Sequence, residues 1–211
     1  MSFLTAAAAL LGAGITLLGS YYLLVGLMSW RRPMEYGRHP ASTRFAVLVP
    51  ARNEELVVGS LINTLLMQDY PPELYDIWVV PNQCTDHTAL AARRFGAHVL
   101  ECTVPVKSKG EVLRFAWERL AHRVFDADNL ADPQFLREMN NAYRAGARVA
   151  QGFRDSKNPY DSVVSGCYSI YYWMMDRLHN GGRAGLGLPA MINGTGFMVA
   201  ASVLERMGGW R

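Results

Sequence analysis

The first thirty residues form an unbroken apolar and small-residue run, Met1 to Trp30, and Arg31 is the first ionised side chain. At 1.5 Å per residue this run exceeds the roughly 30 Å hydrocarbon core of a bilayer and predicts one transmembrane helix over residues 1–30. Tyr21, Tyr22 and Trp30 fall toward its far end, where amphipathic rings favour the interface. After a basic linker over 31–44, which has no periodicity, the pattern changes. F-A-V-L-V-P (45–50) and Y-D-I-W-V-V (75–80) are short continuous apolar runs, as in strands buried on both faces. Between them Leu56, Val57, Leu61, Leu65 and Leu66 recur at helical spacing, predicting a helix over 54–67 that Q-D-Y-P-P ends. A helix over 87–95 with Thr85 or Asp86 as its cap, a strand over 97–102 and a helix over 110–121 continue the alternation.

Strand and helix in alternation predict an α/β domain, residues 45–211, with a mainly parallel sheet flanked by helices. Further along, Asp132 with Pro133 opens another helix, R-V-A-Q-G-F (148–153) is a short strand, and A-M-I-N-G-T-G-F-M-V-A is a strand with a glycine-rich bend. A closing helix lies in S-V-L-E-R-M-G-G-W-R. Residues 160–179 are aromatic-rich, with Val164, Tyr168, Tyr171 and Met175 at helical spacing. That stripe suits either a core or a helix lying against a membrane surface.

Charge refines the picture. Arg31, Arg32, Arg38 and Arg44 are opposed only by Glu35. Flanking cations stay on the inner side, which predicts a single pass of the cell membrane with the remainder in the cytoplasm and lipid as a partner. A signal peptide would begin with basic residues and have a shorter apolar core, whereas here no Lys or Arg precedes the run and no A-x-A site followed by polar residues closes it. The net charge of +3 is mostly this cluster and gives no reason to expect nucleic acid. Cys84, Cys102 and Cys167 are odd in number and widely spaced, so they indicate neither a disulfide framework nor a zinc site. The five histidines form no ligand pair, and no Ser-His-Asp set or G-x-x-x-x-G-K loop is present.

Four polar clusters, A-R-N-E-E, N-Q-C-T-D, K-S-K-G and D-A-D-N, each follow an apolar strand-like run. Ligands of parallel sheets bind beyond the carboxyl ends of the strands, so these clusters predict one site. Asp126 and Asp128, at i and i+2, suit a hard divalent cation shared with a phosphate or ribose. Lys109 at a helix start adds positive charge where a leaving diphosphate develops its own. Taken singly, each has a plain alternative: a solvated lysine, or Glu54 and Glu55 facing a helix dipole.

As an ordered set, V-P-A-R-N-E-E (49–55), N-Q-C-T-D-H-T (82–88), K-G (109–110), F-D-A-D-N (125–129), Q-G (151–152) and N-G-T-G-F (193–197) resemble the membrane-bound family 2 glycosyltransferases, which include the cellulose, chitin and hyaluronan synthases. The resemblance covers about residues 45–210 and implies a GT-A type, Rossmann-like fold and inverting transfer of a hexose. It implies that Pro50, Ala51, Arg52, Asn53 and Glu54 line a uridine pocket that Asn82 also contacts. Asp126 and Asp128, a DXD motif, would bind the UDP-sugar with Mg2+ or Mn2+, Asp128 being the stronger metal ligand. Lys109 would meet the diphosphate, and Gly194, Thr195 and Gly196 would border the acceptor end. The implied acceptor is a polysaccharide or a lipid-linked glycan of the bacterial cell envelope.

Three departures accompany the resemblance. The family usually has an aspartate where this chain has Asn82. The helix over 110–121 runs almost directly into the next strand, where the family carries a longer segment, so a stretch is either deleted or absent between about 121 and 123. The acidic motif that holds the family's base, and the Q-x-x-R-W segment after it, occur nowhere in these residues. Inverting transfer needs a base for the acceptor hydroxyl, so the expectation is donor binding with little transfer, and no catalytic residue is assigned. The alternative is a non-catalytic, membrane-tethered module that binds a nucleotide sugar or a partner. A nucleotidyltransferase of the same fold would carry a glycine- and basic-rich loop after the first strand, which A-R-N-E-E is not.

Overall fold

The structure, a computed structural model, describes residues 3–30, 35–120, 125–126, 130–192 and 194–210, with the backbone alone for Phe125 and Asp126. The expected junction at 121–123 lies outside the described residues. The chain divides into two compact units, Met1–Glu35 with Phe153–Met191, and Tyr36–Gly152 with Ile192–Arg211.

The second unit holds a six-stranded sheet. Its strands are β1 (Phe45–Ala51), β2 (Tyr75–Pro81), β3 (His98–Val99), β4 (Phe125–Asp126), β5 (Val149–Gln151) and β6 (Phe197–Val199), in the order β3-β2-β1-β4-β6-β5. The pairs β1–β2, β2–β3 and β1–β4 are parallel, while β6 is antiparallel to both β4 and β5. Alternation along β1 divides the core. Phe45, Val47, Val49 and Ala51 join one apolar cluster with α2 (Val58–Leu66), α3 (Thr88–Arg94) and α5 (Phe135–Arg144). Leu48 and Val80 join the other, with α4 (Lys109–Leu120) and α8 (Ala201–Met207). Both faces of the sheet are covered, which is why β1 and β2 read as continuous apolar runs rather than alternating ones.

Several expected elements are shorter in the structure, for local reasons. The helix expected over 54–67, α2, starts at Val58 rather than at residue 54, because Asn53, Glu54 and Glu55 are engaged with the loop after β2. Asp132 closes a turn rather than capping a helix. Its Oδ1 accepts from Gln134 N–H at 2.8 Å and its carbonyl from Phe135 N–H at 3.0 Å, and α5 begins at Phe135. The final strand spans only Phe197–Val199, because Gly194 and Gly196 sit at φ +66°, in the left-handed region and outside β geometry. The segment expected as linker up to residue 44 is held down near its end. Asn140, 1% exposed, accepts from the Thr43 hydroxyl at 2.8 Å and donates to the Pro40 carbonyl at 3.2 Å, while Asn141 accepts from His39 N–H.

The first unit contains α1 (Phe3–Met28), α6 (Val163–Trp173), a π-helical stretch (Met174–Asn180) and α7 (Gly181–Gly185). By length and composition α1 is able to cross a membrane. The helix expected over 160–179 is therefore α-helical only to Trp173. A Cβ on Gly182 would stand 2.0 Å from the Val25 carbonyl oxygen and one on Gly185 3.2 Å from that of Met28, so these glycines set the contact between α7 and the end of α1. Within the same unit Arg154 faces Asp176, with its N–H 2.7 Å from Oδ2 and Nη2 3.8 Å from Oδ1.

Candidate functional site

Strand order defines where a ligand would sit. From β1 the chain builds outward through β2 and β3, then crosses back to place β4 on the other side of β1. A parallel sheet opens a crevice where its order reverses, outside the carboxyl ends of the two strands that diverge. Here those strands are β1 and β4. Pro50 and Ala51 end β1, Arg52, Asn53 and Glu54 follow it, and Asp126 lies in β4 beside Leu48. Asn82 follows β2, its N–H bonded to the Ala51 carbonyl at 2.8 Å. The structure thus brings the first and second polar clusters, and the backbone of Asp126, to one edge. Asp128 lies outside the described residues.

The loops after β1 and β2 are joined by side chains. Asn53 has φ +56°, a conformation asparagine tolerates better than most residues, and its Oδ1 accepts from Thr85 N–H at 2.8 Å. The Asn53 N–H reaches Cys84 Sγ at 3.4 Å, and Glu54 N–H donates to Thr88 Oγ1 at 2.8 Å. Asp86 accepts from Glu55 N–H at 3.1 Å, from Thr88 N–H at 3.1 Å and from the Thr88 hydroxyl at 2.6 Å. The Thr88 hydroxyl, followed by these backbone donors, holds the Asp86 carboxyl below its ordinary range. Glu55 in turn accepts from His87 N–H at 3.0 Å. Asp86, rather than Thr85, meets the start of α3. Asn53 and Glu55 therefore shape the loop from within, a role their positions alone did not reveal.

Asn82 differs from its neighbours. It is 8% exposed, yet its Oδ1 is buried without a hydrogen-bond partner. Buried acceptors are almost always paired, so this orphaned amide oxygen is an exception.

On the other flank Lys109 is the first residue of α4, and its Nζ donates to the Gly194 carbonyl at 2.9 Å. Ser108 caps α4, and Glu111 reaches back past it to the preceding residue. Glu111 N–H meets Ser108 Oγ at 3.3 Å, and Glu111 Oε2 accepts from Lys107 N–H at 2.6 Å. The S-K-G-E spacing carries that signal in the sequence. Gln151 Nε2 donates to the Thr195 carbonyl at 2.9 Å, and Gly152 N–H to that of Gly196 at 2.8 Å. A side chain on Gly152 would approach the Gly196 carbonyl to 3.0 Å, which explains a glycine there. The structure thus gathers Lys109, Gln151, Gly152 and the Gly194–Gly196 bend. Among the described residues no group of three His, Cys, Asp or Glu side chains forms a metal site.

This architecture recurs elsewhere. The mannosyltransferase PcManGT from Pyrobaculum calidifontis, solved with GDP-Man and Mn2+, is 23% identical with a TM-score of 0.56, covering 74% of this chain and 47% of that one. Glucosyl-3-phosphoglycerate synthase from Mycobacterium tuberculosis, solved with UDP, is 23% identical with a TM-score of 0.50, over 83% and 64%. The fold is GT-A. Among curated sequences, a probable glycosyltransferase, YdaM, of Bacillus subtilis is 26% identical over 186 residues, covering 79% of this chain and 43% of the relative. A beta-monoglucosyldiacylglycerol synthase of Nostoc sp. is 26% identical over 190 residues, covering 78% and 37%. The chain thus spans about two fifths of the length of these relatives. The family profile described as "Glycosyltransferase like family 2" matches residues 40–211, and the chain belongs to that family.

Proposed function

We propose that this chain forms the donor-binding part of a membrane-anchored inverting hexosyltransferase that takes a UDP-sugar on the cytoplasmic face of the cell membrane. The observation that carries the reading is the buried, unpaired Oδ1 of Asn82, which follows β2 at the carboxyl edge of the sheet and is bonded through its N–H to the end of β1. Hydrogen-bonding chemistry favours uridine there. A carboxylamide offers one acceptor and two donors, matching the N3–H and a carbonyl of uracil. Guanine presents N1–H beside an exocyclic amine, two donors that suit a carboxylate. The asparagine that departs from the family's usual aspartate is thus a specificity element, and it keeps the acceptor that the imide proton needs.

Pro50 to Glu54 would close the pocket beside Asn82, with Asn53 keeping the loop in its left-handed turn. A cation fits the donor set as a shared ligand. Asp126 and Asp128 would supply hard carboxylate oxygens, and the donor's diphosphate would supply the remaining ligands. Bound there, Mg2+ or Mn2+ would neutralise charge on the departing diphosphate. The presence of both Mn2+ and GDP-Man in the complex of the Pyrobaculum mannosyltransferase supports such a pairing. Lys109 would exchange its bond to the Gly194 carbonyl for a diphosphate oxygen, coupling donor arrival to the Gly194–Gly196 bend on the acceptor side. The acceptor would be a polysaccharide or glycolipid, which the Nostoc glycolipid synthase supports. No carboxylate here is assigned as the base, so these 211 residues are expected to bind donor without transferring it.

Calorimetric titration of UDP-glucose, UDP-N-acetylglucosamine and GDP-mannose, with and without Mn2+, tests the reading. The full chain should prefer UDP-sugars, Mn2+ should tighten binding, and Asp128→Ala should remove that gain. Equal affinity for GDP-mannose would overturn the Asn82 assignment, and indifference to both Mn2+ and Asp128→Ala would overturn the metal assignment.

A further inference from the structure

Helix α6 is built inside out for a protein in water. Val163, Val164, Cys167, Tyr168, Ile170 and Tyr171 lie on one broad side of it and are exposed, the five other than Cys167 from 53% at Tyr171 to 84% at Val163. The opposite side carries Ser165, Ser169 and Tyr172 at helical spacing, continued by Asp176, and this polar side is the one partly covered. What covers it belongs to the same unit. The Arg154 guanidinium lies 5.0 Å from the Tyr172 ring centroid and faces the Asp176 carboxylate, and the Pro159 carbonyl lies 3.4 Å from where a Gly166 Cβ would stand. No residue of α6 is buried. In water a helix hides its apolar side and solvates its polar side, so the reverse order implies an apolar surrounding.

The surrounding is identified by what α6 continues into. The π-helical stretch and α7 follow without a break, and they pack on the last two turns of α1. There Gly182 meets Val25, Gly185 meets Met28, the His179 ring centroid lies 6.2 Å from that of Tyr22, and Arg183 bonds the Tyr21 hydroxyl. The exposed apolar side of α6 therefore belongs to the unit that carries the exposed apolar surface of α1. A span of 26 residues leaves the hydrocarbon near its ends, where tyrosine and tryptophan settle at the headgroup level. We propose that α6 is an in-plane interfacial helix, its Val163–Cys167–Tyr171 side inserted among the acyl chains and headgroups of the bilayer that α1 spans, and its serine side turned toward protein. This rests on the reading of α1 as a membrane span and adds a second lipid contact to it.

Cys167 sits in the middle of the apolar side and is exposed, so it serves as a native attachment point. In the full chain with Cys84→Ser and Cys102→Ser, a fluorophore on Cys167 is compared with one on Leu11→Cys in α1 and one on Glu138→Cys in α5, the latter two also carrying Cys167→Ser. Each is reconstituted in phosphatidylcholine–phosphatidylglycerol vesicles and challenged with nitroxide-bearing lipid and with aqueous iodide. The Cys167 and Leu11→Cys labels should lose most of their emission to the lipid nitroxide and little to iodide, and the Glu138→Cys label should do the reverse. A Cys167 label quenched by iodide alone would overturn the proposal. So would one shielded from both quenchers, since that would put a second copy or further protein against α6. If the Leu11→Cys label also escapes the lipid nitroxide, the membrane span fails with it; if that label is quenched and Cys167 is not, only the interfacial helix fails.

Discussion

At the scale of single residues, the proposed donor contact makes stability and binding diverge at Asn82. Burying an unpaired amide oxygen costs folding free energy on the order of 1–3 kcal/mol, and an apolar residue of similar shape avoids that cost. Asn82→Leu should therefore unfold at the same temperature as the parent or slightly above it. It should also lose at least about tenfold in affinity for UDP-sugar, the loss of one hydrogen bond plus an unpaired uracil imide. Thermal unfolding and calorimetry on the same preparation check both halves, and a parallel loss of stability would show that Asn82 is structural. Asp86 gives the pH counterpart. Its carboxyl is held below the ordinary range, chiefly by the Thr88 hydroxyl, so its contribution is present above about pH 4 and is lost as pH falls through the lowered value. Asp86→Asn should flatten that acid limb of the stability curve relative to the parent. Asn82 was visible in the sequence as a departure from a pattern. Its burial was not, because only the packed sheet shows which polar atoms are left without partners.

At the scale of elements, the legible parts were those whose pattern is set locally. β1 and β2 are continuous apolar runs because both faces are covered, α2 follows from 3.6-residue periodicity, and α3 and α4 follow from the polar residues before α3 and the alternation of strand and helix. What the pattern missed was set by distant partners. Asn140 and Asn141 occupy interior positions of α5, where polar residues read as solvated, yet they clamp the chain at residues 39–43. Replacing Asn140 by leucine would leave the Thr43 hydroxyl and Pro40 carbonyl without their partner, at a cost of about 2–4 kcal/mol measurable by denaturant unfolding. The direction of β6 was likewise hidden, since a short apolar triplet carries no sign of the strand beside it. Helix packing gives a sharper contrast at Gly181 and Gly182. A Cβ at Gly181 comes no closer than 3.6 Å to other atoms, so Gly181→Ala should gain up to about 1 kcal/mol from helix propensity. At Gly182 the obstacle is the Val25 backbone at 2.0 Å, which no rotamer relieves, so Gly182→Ala should cost about 2 kcal/mol or more in detergent-solubilised chain.

At the scale of the whole molecule, the crevice of the sheet and the charges beside α1 constrain the same choice. Of the four strand-end clusters read in the sequence, the structure brings the first two and the backbone of Asp126 to one edge, because a parallel sheet gathers its carboxyl ends there whatever the sequence between them. The two aspartates of F-D-A-D-N were legible only through their order in the series, and the structure adds the β4 backbone beside β1. A UDP-sugar carries a diphosphate whose charge cannot cross hydrocarbon unaided, so the site must face the compartment that holds the nucleotide pool. In the proposed orientation Arg31, Arg32, Arg38 and Arg44 would favour that arrangement by staying on the inner side of the membrane. Fusing reporters after Arg211 tests this in cells. Green fluorescent protein should fluoresce there and alkaline phosphatase should stay inactive, since the former folds in the cytoplasm and the latter needs an oxidising compartment. Reversing Arg31, Arg32, Arg38 and Arg44 to glutamate removes the basic bias and should move a fraction of the chains to the opposite orientation, detected as rising phosphatase activity. Active phosphatase on the unsubstituted chain would place the sheet outside and separate it from its proposed donor.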